Sequence, residues 1–297
     1  MIGELAALGA AISWAVSALF YGKALQQARP ISANIIRLTL TGSILILFLV
    51  VLGKFTFLTS LPSGVVVISA ASGIIGLGLG DTLYMVSLSR IGVARAVPIT
   101  CVYPLFTLIW AFFLLGEPIT WAVVLGAVVI VGGIWFLGQS THAREVDARK
   151  KSFVIGMVFA LLTAIVWSIS IAMMDVAVRE TPDLNHALAI NTMRVIAIAA
   201  FFFAASPLLD RKLGFLKVPK KTVIALVTGG IVALGLGWFL LAYSFVEIAQ
   251  SRAVPISSTT PLFSTLASVF LLREKVTART AVGSIMIVVG IFLVFLA

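Results

Sequence analysis

Charge is what this sequence has least of. Only 11% of its 297 residues are Asp, Glu, Lys or Arg, against about a quarter in a soluble domain. Hydrophobic residues make up 61% and the mean hydropathy is +1.17. Such a chain cannot cover a surface facing water, so its solvent is lipid and the bilayer is its constant partner. A single cysteine, Cys101, excludes an intramolecular disulfide framework and a cysteine-rich metal centre. It sits mid-span and packs as a small residue. The two histidines, His142 and His186, are too far apart to suggest a metal site. No phosphate-binding loop is present, so the chain is not expected to hydrolyse ATP. Gly76-x-Gly78-x-Gly80 has neither the spacing nor the strand–helix setting of a dinucleotide motif. A membrane enzyme would need a nucleophile with its base, or a metal cluster, at mid-membrane, and neither is visible. No catalytic residue, metal or cofactor is therefore expected. Met1-Ile2-Gly3-Glu4 lacks the basic start of a cleaved signal, so the first apolar stretch is read as a retained span.

What is abundant is repetition. Arg95 to Glu117 reads RAVPITCVYPLFTLIWAFFLLGE, and Arg252 to Glu274 reads RAVPISSTTPLFSTLASVFLLRE. The offset is 157 positions, and it holds from the second span onward. Asn34 and Arg37 map to Asn191 and Arg194, Leu77-Gly78-Leu79-Gly80 to Leu234-Gly235-Leu236-Gly237, and Gly126 and Gly133 to Gly283 and Gly290. The first span matches at an offset of 153, through Trp14 and Ser17 to Trp167 and Ser170. Gly76-x-x-x-Gly80 and its mate Ala233-x-x-x-Gly237 permit close helix contact.

A bilayer core takes about 20 apolar residues as a helix. That ruler gives ten spans, near 4–22, 33–52, 64–88, 96–115, 119–138, 153–177, 186–205, 222–245, 253–271 and 279–296. The expected fold is an all-α integral membrane protein with ten transmembrane helices. Residues 1–138 form one five-helix repeat, 139–152 a polar linker, and 153–297 the second repeat. Five is odd, so the second repeat starts from the opposite side and the two are inverted, an arrangement typical of secondary transporters. The loops after the odd-numbered spans carry 16 of the 21 Lys and Arg residues and those after the even-numbered spans carry three. The positive-inside rule then places both termini outside. A net charge of +10 would suggest nucleic acid in a soluble protein. Here it is a loop signal, and no nucleic-acid partner is expected.

The run Ser89-Arg90-Ile91-Gly92-Val93-Ala94-Arg95-Ala96-Val97-Pro98, then Tyr103-Pro104-Leu105-Phe106, then Leu114-Leu115-Gly116-Glu117-Pro118-Ile119-Thr120, resembles the EamA family of the drug/metabolite transporter superfamily. The second copy departs at Arg273 and Lys275, which stand where the first has Gly116 and Pro118. The resemblance implies ten helices in two inverted five-helix repeats. It also implies movement of small metabolites, often amino acids, usually outward across the cytoplasmic membrane.

Few polar residues lie inside spans. A guanidinium there costs about 2.5–3.5 kcal/mol even on a lenient scale. Arg37 and Arg194 therefore face a partner or a wet cavity, or else snorkel to an interface. Asn34 and Asn191, three residues earlier, share their helix face. Asp81 is the one acid well inside a span, and its mate is Trp238. It is either a site for a proton or an ammonium, or the buried partner of an arginine such as Arg37. Trp14, Ser17, Trp167 and Ser170 form matched pairs, and Tyr84, Tyr103, Trp238 and Tyr243 add polar-tipped aromatics. The candidate substrate-binding set is Trp14, Ser17, Asn34, Arg37, Asp81, Tyr84, Tyr103, Trp167, Ser170, Asn191, Arg194 and Trp238. Pro98, Pro104, Pro255 and Pro261 are either hinges or fixed bends. Asp175 is expected at an interface, and Glu117 and Glu274 as helix-end caps. The expected protein is a monomeric, proton-coupled exporter of a small polar molecule. The alternative is an efflux pump for lipophilic cations.

Overall fold

The computed structural model describes residues 1–107, 120–138, 147–264, 267 and 277–295. Among them every regular element is helical. Six stretches are long and apolar enough to cross a bilayer: Ile2–Ala24, Pro30–Val51, Ser63–Ile91, Lys151–Glu180, Leu184–Leu209 and Lys220–Glu247. Val93–Thr107, Val124–Phe136 and Ala278–Leu293 are shorter apolar helices. The outer surface exposes Leu47, Val67, Val128 and Phe203, whereas the interior holds Asn34, Arg37, Asp81, Asn191 and Arg194. This is the distribution of a protein whose outside is hydrocarbon and whose inside carries the polar chemistry.

The helices are α1 (Ile2–Ala24), α2 (Pro30–Val51), α3 (Phe55–Thr59), α4 (Ser63–Gly73), α5 (Asp81–Ile91), α6 (Val93–Thr100) and α7 (Trp121–Gly138). After them come α8 (Asp147–Glu180), α9 (Leu184–Leu209), α10 (Lys220–Gly230), α11 (Trp238–Glu247), α12 (Gln250–Ser257) and α13 (Ala278–Phe295). Local sequence sets several boundaries. Pro30 opens α2 where its missing N–H costs nothing. Asp183 caps α9 by accepting from the N–H groups of Asn185 and His186. Gly92, at φ 75°, makes the left-handed turn from α5 into α6. The helix α8 starts at Asp147, so the last six residues of the expected 139–152 linker, Asp147 to Ser152, belong to a helix.

Two features depart from a stack of plain helices. The third span is not continuous α-helix: Ile74–Gly80 is a π-helix between α4 and α5. Its mate Ile231–Gly237, between α10 and α11, is π-helical too. Wider turns leave carbonyls poorly bonded, and side chains of the neighbouring span serve them. Asn34 donates to the Leu77 and Gly78 carbonyls at 3.1 and 3.4 Å. Asn191 donates to the Leu234 carbonyl at 2.7 Å. The fourth span, expected as one helix over 96–115, instead breaks at residues 101–102 and resumes over 103–107. The ninth breaks likewise at 258–259. Pro98 and Pro255 lie inside the first piece of each, while Pro104 and Pro261 lie in the first turn of the second. Thr260 donates to the Ser257 carbonyl that Pro261 leaves without its N–H partner. Glu117, Glu274, Arg273, Lys275 and His142 lie outside the described residues.

The halves interlock through small residues. A Cβ at Gly80 would lie 2.8 Å from Trp167 Cδ1, and one at Gly237 would lie 2.7 Å from Trp14 Nε1. A Cβ at Gly133 would meet the Gly283 carbonyl, and one at Gly290 the Gly126 carbonyl. Each contact recurs with the roles of the two halves exchanged, as in a two-fold interface. The first pair seats a tryptophan from each half against the glycine that precedes residue 81 or 238. The second joins α7 to α13, whose contacts are mainly with each other.

Candidate functional site

Both π-helices end at chemically decisive residues. Asp81 is the first residue after one and Trp238 the first after the other. Asp81 is 2% exposed and Arg37 1% exposed. Arg37 Nη2 donates to Asp81 Oδ2 at 2.5 Å and to Asn34 Oδ1 at 2.7 Å. Trp167 Nε1, from the other half, donates to Asp81 Oδ1 at 2.8 Å. The Arg37 guanidinium also lies 5.0 Å from the Tyr21 ring centroid. The carboxylate is thus held on both oxygens, once by each half of the chain.

The second arginine has no such partner. Arg194, fully buried, donates Nε to Ser72 Oγ at 3.0 Å, Nη2 to Ser170 Oγ at 3.1 Å and Nη1 to Met174 Sδ at 2.8 Å. Its guanidinium stands 4.4 Å from the Trp238 ring centroid. Among the described residues no carboxylate lies within ion-pair distance of it. Ser72 and Ser170 also bond each other's carbonyls at 2.8 Å, tying the third span to α8.

Beside the Arg37–Asp81 pair lies a cavity of about 40 Å³, room for about three waters. Of the residues singled out in the sequence, Trp14, Ser17, Arg37 and Asp81 line it, as do Tyr84, Tyr103, Trp167 and Trp238. Asn34 and Asn191 do not. Their amides are spent on π-helix carbonyls, so they brace the elements that carry Asp81 and Trp238. Ser170 and Arg194 are not in the lining: they bond each other, and the Arg194 guanidinium lies against the Trp238 ring. Tyr243 is outside the lining, and Asp175 is paired with the exposed Arg179 at 2.9 Å. The lining adds Tyr21, Thr100, Cys101 and Thr260. Tyr21 was findable, because Trp14, Ser17 and Tyr21 are spaced i, i+3, i+7 on one helix face. Thr260 was findable as the repeat mate of Tyr103. Among the described residues one donor on this wall, Trp14 Nε1, makes no hydrogen bond. Such buried donors are costly when unmet and suit an incoming acceptor.

An apolar exterior and a polar core built by both halves, with a small cavity beside an ion pair, are the features of a multi-pass membrane protein. Residues 1–139 and 154–296 match the EamA-like transporter family. The chain belongs to that family, whose members are transporters and not enzymes. A protein from Archaeoglobus fulgidus described as an uncharacterized transporter is 24% identical over 301 residues, covering 100% of this chain and 99% of its own. Another, from Clostridium kluyveri and described in the same words, is 20% identical over 227 residues, covering 74% of this chain and 69% of its own. A solved structure described as "Crystal structure of protein" superposes with a TM-score of 0.68 at 21% identity, covering 98% of this chain and 95% of that one. It attests to the fold alone.

Proposed function

We propose that this protein is a secondary transporter exporting small polar metabolites, of the amino-acid class, across the cytoplasmic membrane. It works as a monomer of ten spans in two inverted five-helix repeats, rocking one against the other about the cavity. Exchanged contacts between halves support that architecture. Contacts at the helix ends support it too: Arg252 pairs with Glu4 at 2.8 Å, whereas Arg95 lies over the Phe153 ring. The observation that carries the functional reading is the buried Arg37–Asp81 pair, reached by Trp167 of the other half, on the wall of the cavity. A zwitterion matches such a pair group for group. Its carboxylate suits a guanidinium, and its ammonium, or a coupling proton, suits Asp81. Proteoliposomes loaded with labelled amino acids test this. Wild type empties them without ATP, faster with an imposed proton gradient, and Asp81→Asn loses the gradient response. Unchanged rate and unchanged pH dependence in Asp81→Asn remove that carboxylate from the mechanism. No efflux of any amino acid by wild type sinks the reading.

Efflux of lipophilic cations is the second reading, favoured by the aromatic rings of Trp14, Tyr84, Trp167 and Trp238 around Asp81. Against it, Arg37 already neutralises that carboxylate and Arg194 adds a buried positive charge. Resistance to cationic dyes that survives Arg37→Gln and Arg194→Gln would favour the cation reading.

A further inference from the structure

In the first half a carboxylate sits where a guanidinium and an indole N–H converge. The guanidinium is Arg37, the carboxylate Asp81 and the indole Trp167, which lies against Gly80. The repeat supplies the same arrangement in the second half with the halves exchanged. Arg194 is the mate of Arg37, Trp14 the mate of Trp167, and Trp14 Nε1 lies against Gly237, the mate of Gly80. The position of the carboxylate, however, holds Trp238. Two independent observations follow from that one replacement. Among the described residues Arg194, a buried cation, has no carboxylate within ion-pair distance, and Trp14 Nε1, a buried donor, has no acceptor, although its mate Trp167 has one. The Trp238 ring is in contact with both, 4.4 Å from the Arg194 guanidinium and 5.0 Å from the Trp14 ring centroid.

We infer that the missing carboxylate is supplied by the substrate. The second half is a carboxylate subsite formed by the Arg194 guanidinium and the Trp14 indole N–H, and Trp238 is the plug that fills it when no substrate is bound. The inference rests on the reading of the protein as an amino-acid-class transporter and goes beyond it by assigning which end of the substrate each half takes. The cation–π contact with Trp238 shields Arg194 in the empty protein without satisfying its charge. A charge-assisted bond to a carboxylate does both, so a carboxylate displaces the ring where a neutral or cationic group does not. With the cavity at about 40 Å³, displacement of the ring is also what makes room.

Alanine, leucine and phenylalanine, each with its decarboxylated amine and its deaminated acid, are the probes. Purified protein is read by thermal shift and by tryptophan fluorescence. The amino acid or acid of at least one side chain raises the Tm and changes the indole emission, and the corresponding amine does neither. Trp14→Phe, which keeps the ring and removes the N–H, weakens that binding about tenfold. Arg194→Gln weakens it about a hundredfold. Trp238→Asp supplies the carboxylate internally, so the unliganded Tm rises and the acids no longer bind. Trp14→Phe keeps the question open to refutation if the bolder variants fail to fold. Binding of the acids that is unchanged in Trp14→Phe, or that persists in Trp238→Asp, removes the subsite while leaving amino-acid transport standing. Stabilisation by the amines alone overturns the subsite in favour of a cation site. No effect from any probe on wild type overturns the amino-acid reading together with the subsite.

Discussion

Arg37 and Arg194 occupy matching positions in the two halves, yet they live in different chemistry. The first is bonded to Asp81 and to Asn34, the second to two serines, a thioether and the face of an indole. Around them the copies differ at three positions: Asp81 against Trp238, Tyr21 against Met174 and Ser72 against Gly229. Matching packing, by contrast, is preserved: both π-helices, both tryptophan-on-glycine contacts and both asparagine braces. The scaffold is kept symmetric and the charge is not. In the proposed transporter, symmetric packing would allow two near-equivalent shapes, while asymmetric charge would offer the substrate two chemically distinct ends.

Three sets of substitutions probe that contrast, beginning with the pair that differs most. Asp81→Asn strands Arg37 as a buried unpaired charge, at a cost of about 3–5 kcal/mol. A large fall in Tm is expected in detergent, and Arg37→Gln in the same chain recovers most of it. A double-mutant cycle that comes out additive would mean the pair does not couple. Next, Gly80→Ala and Gly237→Ala each push a Cβ into a tryptophan ring and destabilise by about 1–3 kcal/mol. Equal losses in thermal denaturation uphold symmetric packing, and a loss at only one site breaks it. Smallest are Asn34→Ala and Asn191→Ala, at about 0.6–1.7 kcal/mol. Asn34 is expected to cost more, because its oxygen also serves Arg37. A larger loss at Asn191 would show that the braces are not ranked by their bonds to charge.

Arg37, Asp81 and Arg194 are legible in sequence because a charge inside an apolar run has few harmless explanations. The repeat is legible because prolines, arginines and glycines keep register where apolar residues alone would drift. The π-helices are not. Gly-Leu-Gly-Leu-Gly reads equally well as a close-packing face, since the spacing of backbone hydrogen bonds leaves no compositional trace. For the same reason Asn34 and Asn191 pass for ligand contacts: an amide suits a substrate and a stray carbonyl alike. That Ser170 and Arg194 are absent from the cavity lining is not legible either, because periodicity reports a helix face but not which side chains stand on the cavity wall. Tyr21 is a different kind of miss, since its spacing from Trp14 and Ser17 was sufficient to include it.

Among the described residues two guanidiniums against one carboxylate leave the middle of the protein with a surplus positive charge where the surrounding dielectric is low. A hydrated sodium ion or a stray hydronium crossing there meets an electrostatic hill of the kind that basic residues build in water-selective pores. In the proposed transport cycle this surplus would guard the unloaded protein against leakage of the cations on which a membrane potential depends. The arginine left without its acid would then be as much a seal as the docking point inferred above.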